Sequence, residues 1–214
     1  FERADIPLAV ARGGFYESAE ILDLLSLLQL LDNPLQDVPC IAVLRSPLVG
    51  LSLDELAEIR LAAKEKHFWT ALNSIQNETL KIKNELRAKT VKFLERFARW
   101  RKIVKQVSLS QCLEEILAET LYADWLRAQP RGAQRAANIA SFLNLAQTFD
   151  QFQRQGLFRF LKFIEAEQAA EVEPEVSAGG MENAVQLMSI HQSNGLEFPV
   201  VVLADLAKSF NEQD

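Results

Sequence analysis

The chain has 214 residues, 49% of them hydrophobic and 24% charged, which is typical of a globular protein large enough to bury a sizeable core. Its net charge of −6 argues against a uniformly basic surface that coats nucleic acid, but leaves local patches open. Two cysteines and two histidines are too few for a disulfide framework or a multi-histidine zinc site. We therefore expect a cytoplasmic protein with no metal site. We expect no membrane partner either, because no apolar run reaches the length of roughly 18 residues that a spanning helix needs.

The first predicted elements are a short strand and a buried helix. Residues 6–10 are typical of the strand, and residues 17–31 of the helix. Leucine and isoleucine fill this helix so densely that only a narrow polar stripe is left, and a helix that is apolar on most sides is buried on most sides. Pro34 ends the helix, because proline disfavours helical backbone in the residue before it.

The chain from residue 35 to about residue 168 reads almost entirely as helix. Ser52 and Glu55 have the spacing of a capping box and mark one helix start. The apolar spacing predicts a longest helix over 79–107 and further helices over 110–128, 136–149 and 157–170. Residues 171–180 are rich in charge and small side chains, which predicts a mobile linker or loop.

The C-terminal part of the chain returns to strand patterns. Residues 185–190 alternate apolar and polar, and residues 200–204 form a continuous apolar run typical of a fully buried strand. Between them lies the polar stretch His191–Pro199. Polar residues that leave a strand point beyond the carboxyl end of the sheet, which is where ligands bind in open α/β sheets.

The polar stretch has two readings from its residues alone. As a ligand loop, it would use Glu197 to accept hydrogen bonds from sugar hydroxyls, while Ser189, His191 and Ser193 donate to phosphate. As a polar turn, it would need Gly195 only for an unusual backbone angle. No Walker A sequence occurs in the chain, so this chain cannot cradle a triphosphate by itself.

A basic segment spans residues 81–105. It holds ten lysines and arginines against two glutamates, a local net charge of +8 in an acidic chain, and includes Lys92, Arg96 and Arg99. Such a segment can track a phosphate backbone. The alternative is a solvated helix face whose long side chains cover apolar surface.

Two motifs carry a family resemblance. Leu187-Met-Ser-Ile-His-Gln-Ser-Asn-Gly-Leu-Glu-Phe-Pro-Val-Val201 resembles motif V of superfamily 1A DNA helicases of the UvrD, Rep and RecB type. The helix over 14–33, which begins Gly-Phe-Tyr-Glu-Ser-Ala-Glu-Ile, resembles their motif IVa. Residues 34–39 and 42–50 are most similar to AddA-type helicase–nuclease subunits.

The resemblance implies a mainly α fold in which a helical insertion is bracketed by pieces of a RecA-like α/β domain of the P-loop NTPase type. We expect residues 1–34 and 184–214 to belong to the second motor domain. Residues 35–170 would form a helical 2B-type accessory domain, and residues 171–183 a linker. We also expect the chain to be a segment of a longer protein, because motifs I, II and VI and a nuclease domain are all missing.

The resemblance also implies roles for single residues. Glu197 would contact the nucleotide ribose and Gly195 would shape its loop. The expected DNA contacts are Ser189, His191, Ser193, Phe15 and Tyr16, and more weakly Lys92, Arg96 and Arg99. Gln192 and Asn194 stand where the family has lysines, so the charge contacts of those lysines are absent here.

The implied function is that of an ATP-dependent DNA helicase that moves on single-stranded DNA in recombination and repair. The full-length protein would use ATP and Mg²⁺ and pair with an AddB-like subunit. The segment alone would bind neither cofactor and would be inactive. The alternative is a non-catalytic helical scaffold or DNA- or partner-binding module whose helicase-like ends are vestigial.

Overall fold

The computed structural model describes residues 8–10, 14–62, 67–75, 82–152, 156–170, 172–174, 176, 185–188, 190, 193, 195 and 197–204, with backbone alone at 8–10 and 152. The chain divides into two units, residues 1–12 with 181–214, and residues 13–180. The elements within the described ranges are β1 (Leu8–Val10), α1 (Ala19–Asp32), α2 (Asp37–Arg45), α3 (Leu53–Ala62), α4 (Phe68–Ser74), α5 (Asn84–Ile103), α6 (Leu109–Thr120), α7 (Tyr122–Arg127), α8 (Gly132–Phe152), α9 (Gly156–Ala169) and β2 (Val185–Leu187). The fold is therefore mostly helical, as expected.

The smaller unit, residues 1–12 with 181–214, contains a parallel pair of strands. Leu8 pairs with Val185 and Val10 with Leu187. Both predicted strands are confirmed at these positions. Because the pair is parallel, the two carboxyl ends lie at the same edge, and the entire helical unit occupies the connection between them.

The buried strand expected over residues 200–204 is wrong. Residues 201–204 have no regular secondary structure, and Val200 and Val202 are 80% and 85% exposed. A fully buried strand needs a pairing strand and packed layers on both faces. Within the described residues the sheet consists of β1 and β2 alone, so this apolar run has nothing here to bury it.

The helical unit, residues 13–180, is built around α1. Eight of its residues are buried, and the helix packs against α2, α5, α8 and α9. This confirms the buried helix predicted over 17–31. The burial includes Glu20, a charged side chain that is only 3% exposed, and a buried carboxylate is tolerated only when it has partners. Asn138 donates a hydrogen bond of 2.6 Å to Glu20, and Arg135 lies 3.4 Å from it.

A second polar contact ties α1 to α7. The Tyr122 hydroxyl donates a 2.6 Å hydrogen bond to Asp23. Burial raises the pKa of the Asp23 carboxyl, although the Tyr122 bond acts in the opposite direction. Burial and the Asp23 carboxylate also raise the pKa of Tyr122. The two groups therefore favour the neutral tyrosine that donates to a carboxylate.

Capping boxes start two of the helices. The backbone N–H of Ser52 donates to Glu55 at 2.7 Å, and that of Glu55 donates to the Ser52 hydroxyl at 3.1 Å, which confirms the predicted box. A second box, formed by Ser108 and Gln111, starts α6. Asp150 reinforces this start from α8 by accepting the backbone N–H groups of residues 109 and 110.

Two helix predictions need correction. The helix expected to be longest, over 79–107, is described as α5 with 20 residues, while α8 has 21. The helix expected over 110–128 is two helices, because Leu121 adopts a left-handed φ of 54° between α6 and α7. The break turns α7 so that Tyr122 meets Asp23 in α1, a contact across 99 positions of sequence.

The described part of the chain contains no helix long and apolar enough to cross a membrane.

The break at Leu121 predicts an unusual response to glycine. A left-handed conformation strains a leucine, and this side chain is 61% exposed, so its removal gives up little burial. We expect Leu121→Gly to raise the free energy of unfolding by about 0.5 kcal/mol, because the relief of strain exceeds the added entropy of the unfolded chain. Urea titration measures it. Ala118→Gly, at an exposed position inside α6, is the matched control and should lose about 1 kcal/mol. Equal losses in the two variants would show that Leu121 is not strained.

Candidate functional site

The polar stretch His191–Pro199 follows the carboxyl end of β2. Met188, Ile190, Ser193, Gly195 and residues 197–199 of this region are described. The Ser193 hydroxyl donates a 2.8 Å hydrogen bond to the carbonyl of Ile190, which closes a turn. Gly195 has a φ of +84°, and a Cβ built there would meet open space. Glycine is thus favoured at 195 by backbone conformation rather than by crowding.

Glu197 is the charged residue of this turn that the structure describes, and its side chain is exposed. An exposed carboxylate beyond the carboxyl edge of a parallel pair can accept hydrogen bonds from a bound molecule. Ser189 and His191, both expected at this site, lie outside the described residues, as do Gln192 and Asn194. The geometry of the described residues is that of a polar turn with an available acceptor, and both readings of the stretch stay open.

Phe15 and Tyr16, expected to contact DNA, are buried. They are 5% and 4% exposed, and their rings meet edge to face with centroids 5.1 Å apart. Burial, together with the negative charges of Glu167 and Glu173, raises the pKa of Tyr16 to about 12. The rings pack against the helical unit, so the DNA contact stays a prediction without an exposed ring to make it.

The segment after α9 is tied to the segment before α1. The backbone N–H groups of Gly14 and Phe15 both donate to the Glu173 carboxylate, the latter at 3.2 Å. Val176 packs against the core. Residues 172–174 and 176 have no helix or strand, as a loop should, but the expected mobility does not hold at Glu173, because two backbone donors fix it.

The basic segment 81–105 lies largely on α5, and many of its cations already have partners. The pairs are Lys83 with Glu58, Lys89 with Glu55 and Glu85, and Arg96 and Arg99 with Glu119, while Arg87 donates to the carbonyl of Ile75. A helix face whose charges are paired with carboxylates attracts a phosphate backbone less than its sequence suggests. For this part of the helix, the structure supports the reading as a solvated, ion-paired face.

Glu119 of α6 holds two of the three basic residues singled out from sequence. Its Oε1 lies 3.1 Å from Nε of Arg96 and also accepts from Arg99. Its Oε2 accepts a 2.8 Å hydrogen bond from the indole of Trp100. Burial acts to raise the pKa of Glu119, but these hydrogen bonds and the charges of both arginines outweigh it and hold the pKa below its ordinary value of 4.5. Lys92 is exposed and forms no ion pair with any described residue.

The other end of α5 carries cations of a different kind. Arg101, Lys102 and Lys105 line an open groove beside Trp69 of α4. Sequence reasoning counted the three cations but did not separate them from the rest of the segment. The signal that could have done so is their helical spacing, which together with Ala98 runs i, i+3, i+4, i+7 along one face. No group of three metal-ligating side chains occurs among the described residues.

The Glu119 cluster predicts a pH-dependent stability. A lowered folded-state pKa means that folding favours the carboxylate, so the contribution is complete above pH 4.5 and is lost as the pH falls through the folded-state value. We expect Glu119→Gln to cost about 1–2 kcal/mol at neutral pH, and the cost to vanish near pH ~3, as measured by urea unfolding.

Glu165→Gln is the matched control for Glu119→Gln. Glu165 pairs with Lys162 at 2.6 Å, but both side chains are more than half exposed, so the expected cost is below about 0.5 kcal/mol at either pH. A cost at Glu119 that does not change with pH would contradict the assignment of a stabilising charge to its carboxylate.

Comparison with known proteins gives one family and a consistent set of relatives. The chain matches the UvrD-like helicase C-terminal domain over residues 1–210. It is 40% identical over 217 residues to the ATP-dependent helicase/nuclease AddA of Anoxybacillus flavithermus, and 41% identical over 217 residues to that of Desulforudis audaxviator. These alignments cover 100% of this chain but only 18% and 17% of the two relatives, so the chain spans less than a fifth of their length. The chain belongs to the family of UvrD-like helicase C-terminal domains.

Proposed function

We propose that the chain is part of an ATP-dependent DNA helicase of the AddA type, which moves on single-stranded DNA in recombination and repair in the cytoplasm. The observation that carries the proposal is the family match over residues 1–210, which includes the polar turn at the carboxyl edge of the parallel pair. Parallel strands with a ligand-facing loop at this edge are what a RecA-like motor domain requires. The relatives are named as ATP-dependent helicase/nuclease proteins, which agrees with this role.

In this proposal the two units have different roles. The strand unit is part of the second motor domain, and the helical unit is a 2B-type accessory domain that contacts DNA or an AddB-like partner subunit. From sequence we placed the boundaries at 34, 170 and 183, with α1 in the motor domain. By its contacts α1 belongs with the helical unit, whose core it forms. We therefore propose that α1 serves as the base on which the accessory helices pack.

The residues of this chain do not fit ATP or Mg²⁺ by themselves. There is no Walker A sequence, and the described residues hold no cluster of three metal-ligating side chains. What the chain offers is the exposed carboxylate of Glu197 and the glycine turn at Gly195. We propose that Glu197 accepts hydrogen bonds from the ribose of a nucleotide held mainly by other segments of the longer protein. Ser189, His191 and Ser193 are then the proposed DNA contacts.

A non-catalytic helical scaffold is the second candidate. Gln192 and Asn194 favour it, because they remove two cations that the resembling motif carries. The pairing of Arg96 and Arg99 with Glu119 favours it as well, since it leaves less free charge for DNA. The longer reading frame separates the candidates. A Walker A sequence before this segment and an arginine-bearing motif after it support the motor, and their absence supports the scaffold.

The ribose contact predicts a binding defect in the longer protein. We expect Glu197→Gln to raise the KM for ATP about tenfold, because a hydrogen bond to a charged acceptor is weakened, while kcat falls less. DNA-stimulated phosphate release measures both. Glu165→Gln on α9 is the control and should match the unaltered protein. An unchanged KM in Glu197→Gln would remove Glu197 from the site, and a longer protein without any DNA-stimulated hydrolysis would overturn the proposed function.

The isolated 214 residues provide a second test. We expect them to release no phosphate from ATP, with or without single-stranded DNA, because the residues that hold a triphosphate are missing. A sensitive phosphate assay at high protein concentration checks this. Sustained turnover would contradict the view that this chain supplies only part of the site.

A further inference from the structure

An open groove lies between α4 and α5 in the helical unit. It has a volume of about 410 Å³ and combines an apolar bottom with a cationic margin. Leu94 and Phe97, 5% and 1% exposed, form the bottom, while Lys102 and Lys105 are exposed. The groove is well separated in character from the Glu119 cluster on the same helix, where the cations face a carboxylate.

The cations of this groove are available to an anion. Arg101, Lys102 and Lys105 form no ion pair with any residue that the structure describes, and no carboxylate lines the groove. Earlier along α5, Lys89, Arg96 and Arg99 are all paired with glutamates. The free positive charge of α5 is therefore concentrated beside an apolar surface, which strengthens its attraction for a negatively charged group.

The aromatic wall narrows the class of ligand. Trp69 lines the groove with its side chain half-buried, and its ring packs 4.6 Å from that of Phe97 at an angle of 51°. Neighbouring Asn73 holds the backbone of this wall, because its side-chain amide donates a 2.8 Å hydrogen bond to the carbonyl of Trp69. An acidic peptide needs only the cations, whereas an unpaired nucleotide uses both a phosphate contact and a flat aromatic surface for its base.

We propose that this groove binds a nucleotide of single-stranded nucleic acid, with a base stacked on Trp69 and the adjacent phosphates on Arg101, Lys102 and Lys105. The volume lies within the range of sites that enclose a small molecule, so it suits a nucleotide-sized group. The proposal rests on the DNA-handling role proposed above and adds a site in the helical unit, away from the polar turn. Binding here is independent of sequence, since every base has a face that can stack.

The first test measures the charge contribution. The 214-residue chain is titrated with a fluorescein-labelled oligothymidine at several salt concentrations. In Lys102→Gln/Lys105→Gln we expect weaker binding and a plot of log K against log salt whose slope is shallower by roughly 1.4, since each lost phosphate contact removes about 0.7. Arg159→Gln/Lys162→Gln on α9 removes the same two charges outside the groove and should keep the original slope.

The second test measures stacking. We expect Trp69→Leu to lose affinity for oligothymidine by about five- to a hundredfold with an unchanged salt slope. Trp125→Leu is the control, because Trp125 is 45% exposed on α7 and lies outside the groove. Helical circular dichroism and melting confirm that each variant is folded. If Trp69→Leu fails this check, Trp69→Phe keeps the packing and should show a smaller loss.

The outcomes separate this inference from the proposed function. Unchanged oligothymidine binding in both groove variants, or no binding by the unaltered chain, overturns the groove site. Equal, Trp69-independent binding of poly-glutamate overturns it in favour of an acidic protein partner. None of these results depends on ATP hydrolysis. A longer protein without DNA-stimulated hydrolysis that still binds oligothymidine through this groove would refute the motor and leave the site standing.

Discussion

The burial of α1 is the constraint on which the helical unit depends. Its apolar side chains face four other helices, so no single neighbour can satisfy it and the surrounding helices must assemble together. The same burial carries Glu20 and Asp23 into the interior. Their charges make the positions of α7 and α8 specific, because Tyr122, Arg135 and Asn138 must arrive at defined points to satisfy them.

The distribution of charge along α5 follows from what packs beside it. Where α3 and α6 approach, their glutamates take up lysines and arginines of the helix, and the surface becomes a closed ion-paired face. Beyond Trp100, the neighbour is α4, which contributes an aromatic ring and an amide but no carboxylate. One helix thus presents two surfaces of similar composition and different chemistry. Composition alone treats them as one basic segment.

Local signals made the fold largely predictable from sequence. The apolar pattern of residues 17–31, the Ser52–Glu55 box and the strand near residue 185 are all set by neighbours within a few positions, and the structure confirms them. The break at Leu121 was missed, because its cause includes a contact with Asp23, 99 positions from Tyr122. The strand over 200–204 was wrong for a related reason, since hydrophobicity states only that a segment could be buried.

The candidate site was predictable to a lesser degree. Gly195 was expected to serve an unusual backbone angle, and its positive φ confirms that. The exposure of Glu197 fits its expected role but does not test it. Phe15 and Tyr16 could not be placed from sequence, because their burial results from packing within the helical unit. The groove was invisible for the same physical reason, since it exists only where Trp69 of α4 meets α5.

The contact of Glu173 with Gly14 and Phe15 has a consequence for the order of folding. It closes the helical unit on itself, so that the chain enters and leaves the unit at neighbouring points. Once the unit has folded, only residues 11–13 and 174–184 are left to connect it to β1 and β2. The entropy of closing that shortened loop is smaller by about 2 kcal/mol than for the whole unfolded connection. An insertion of this size therefore costs the strand pair little more than an ordinary surface loop, provided that the helices form first.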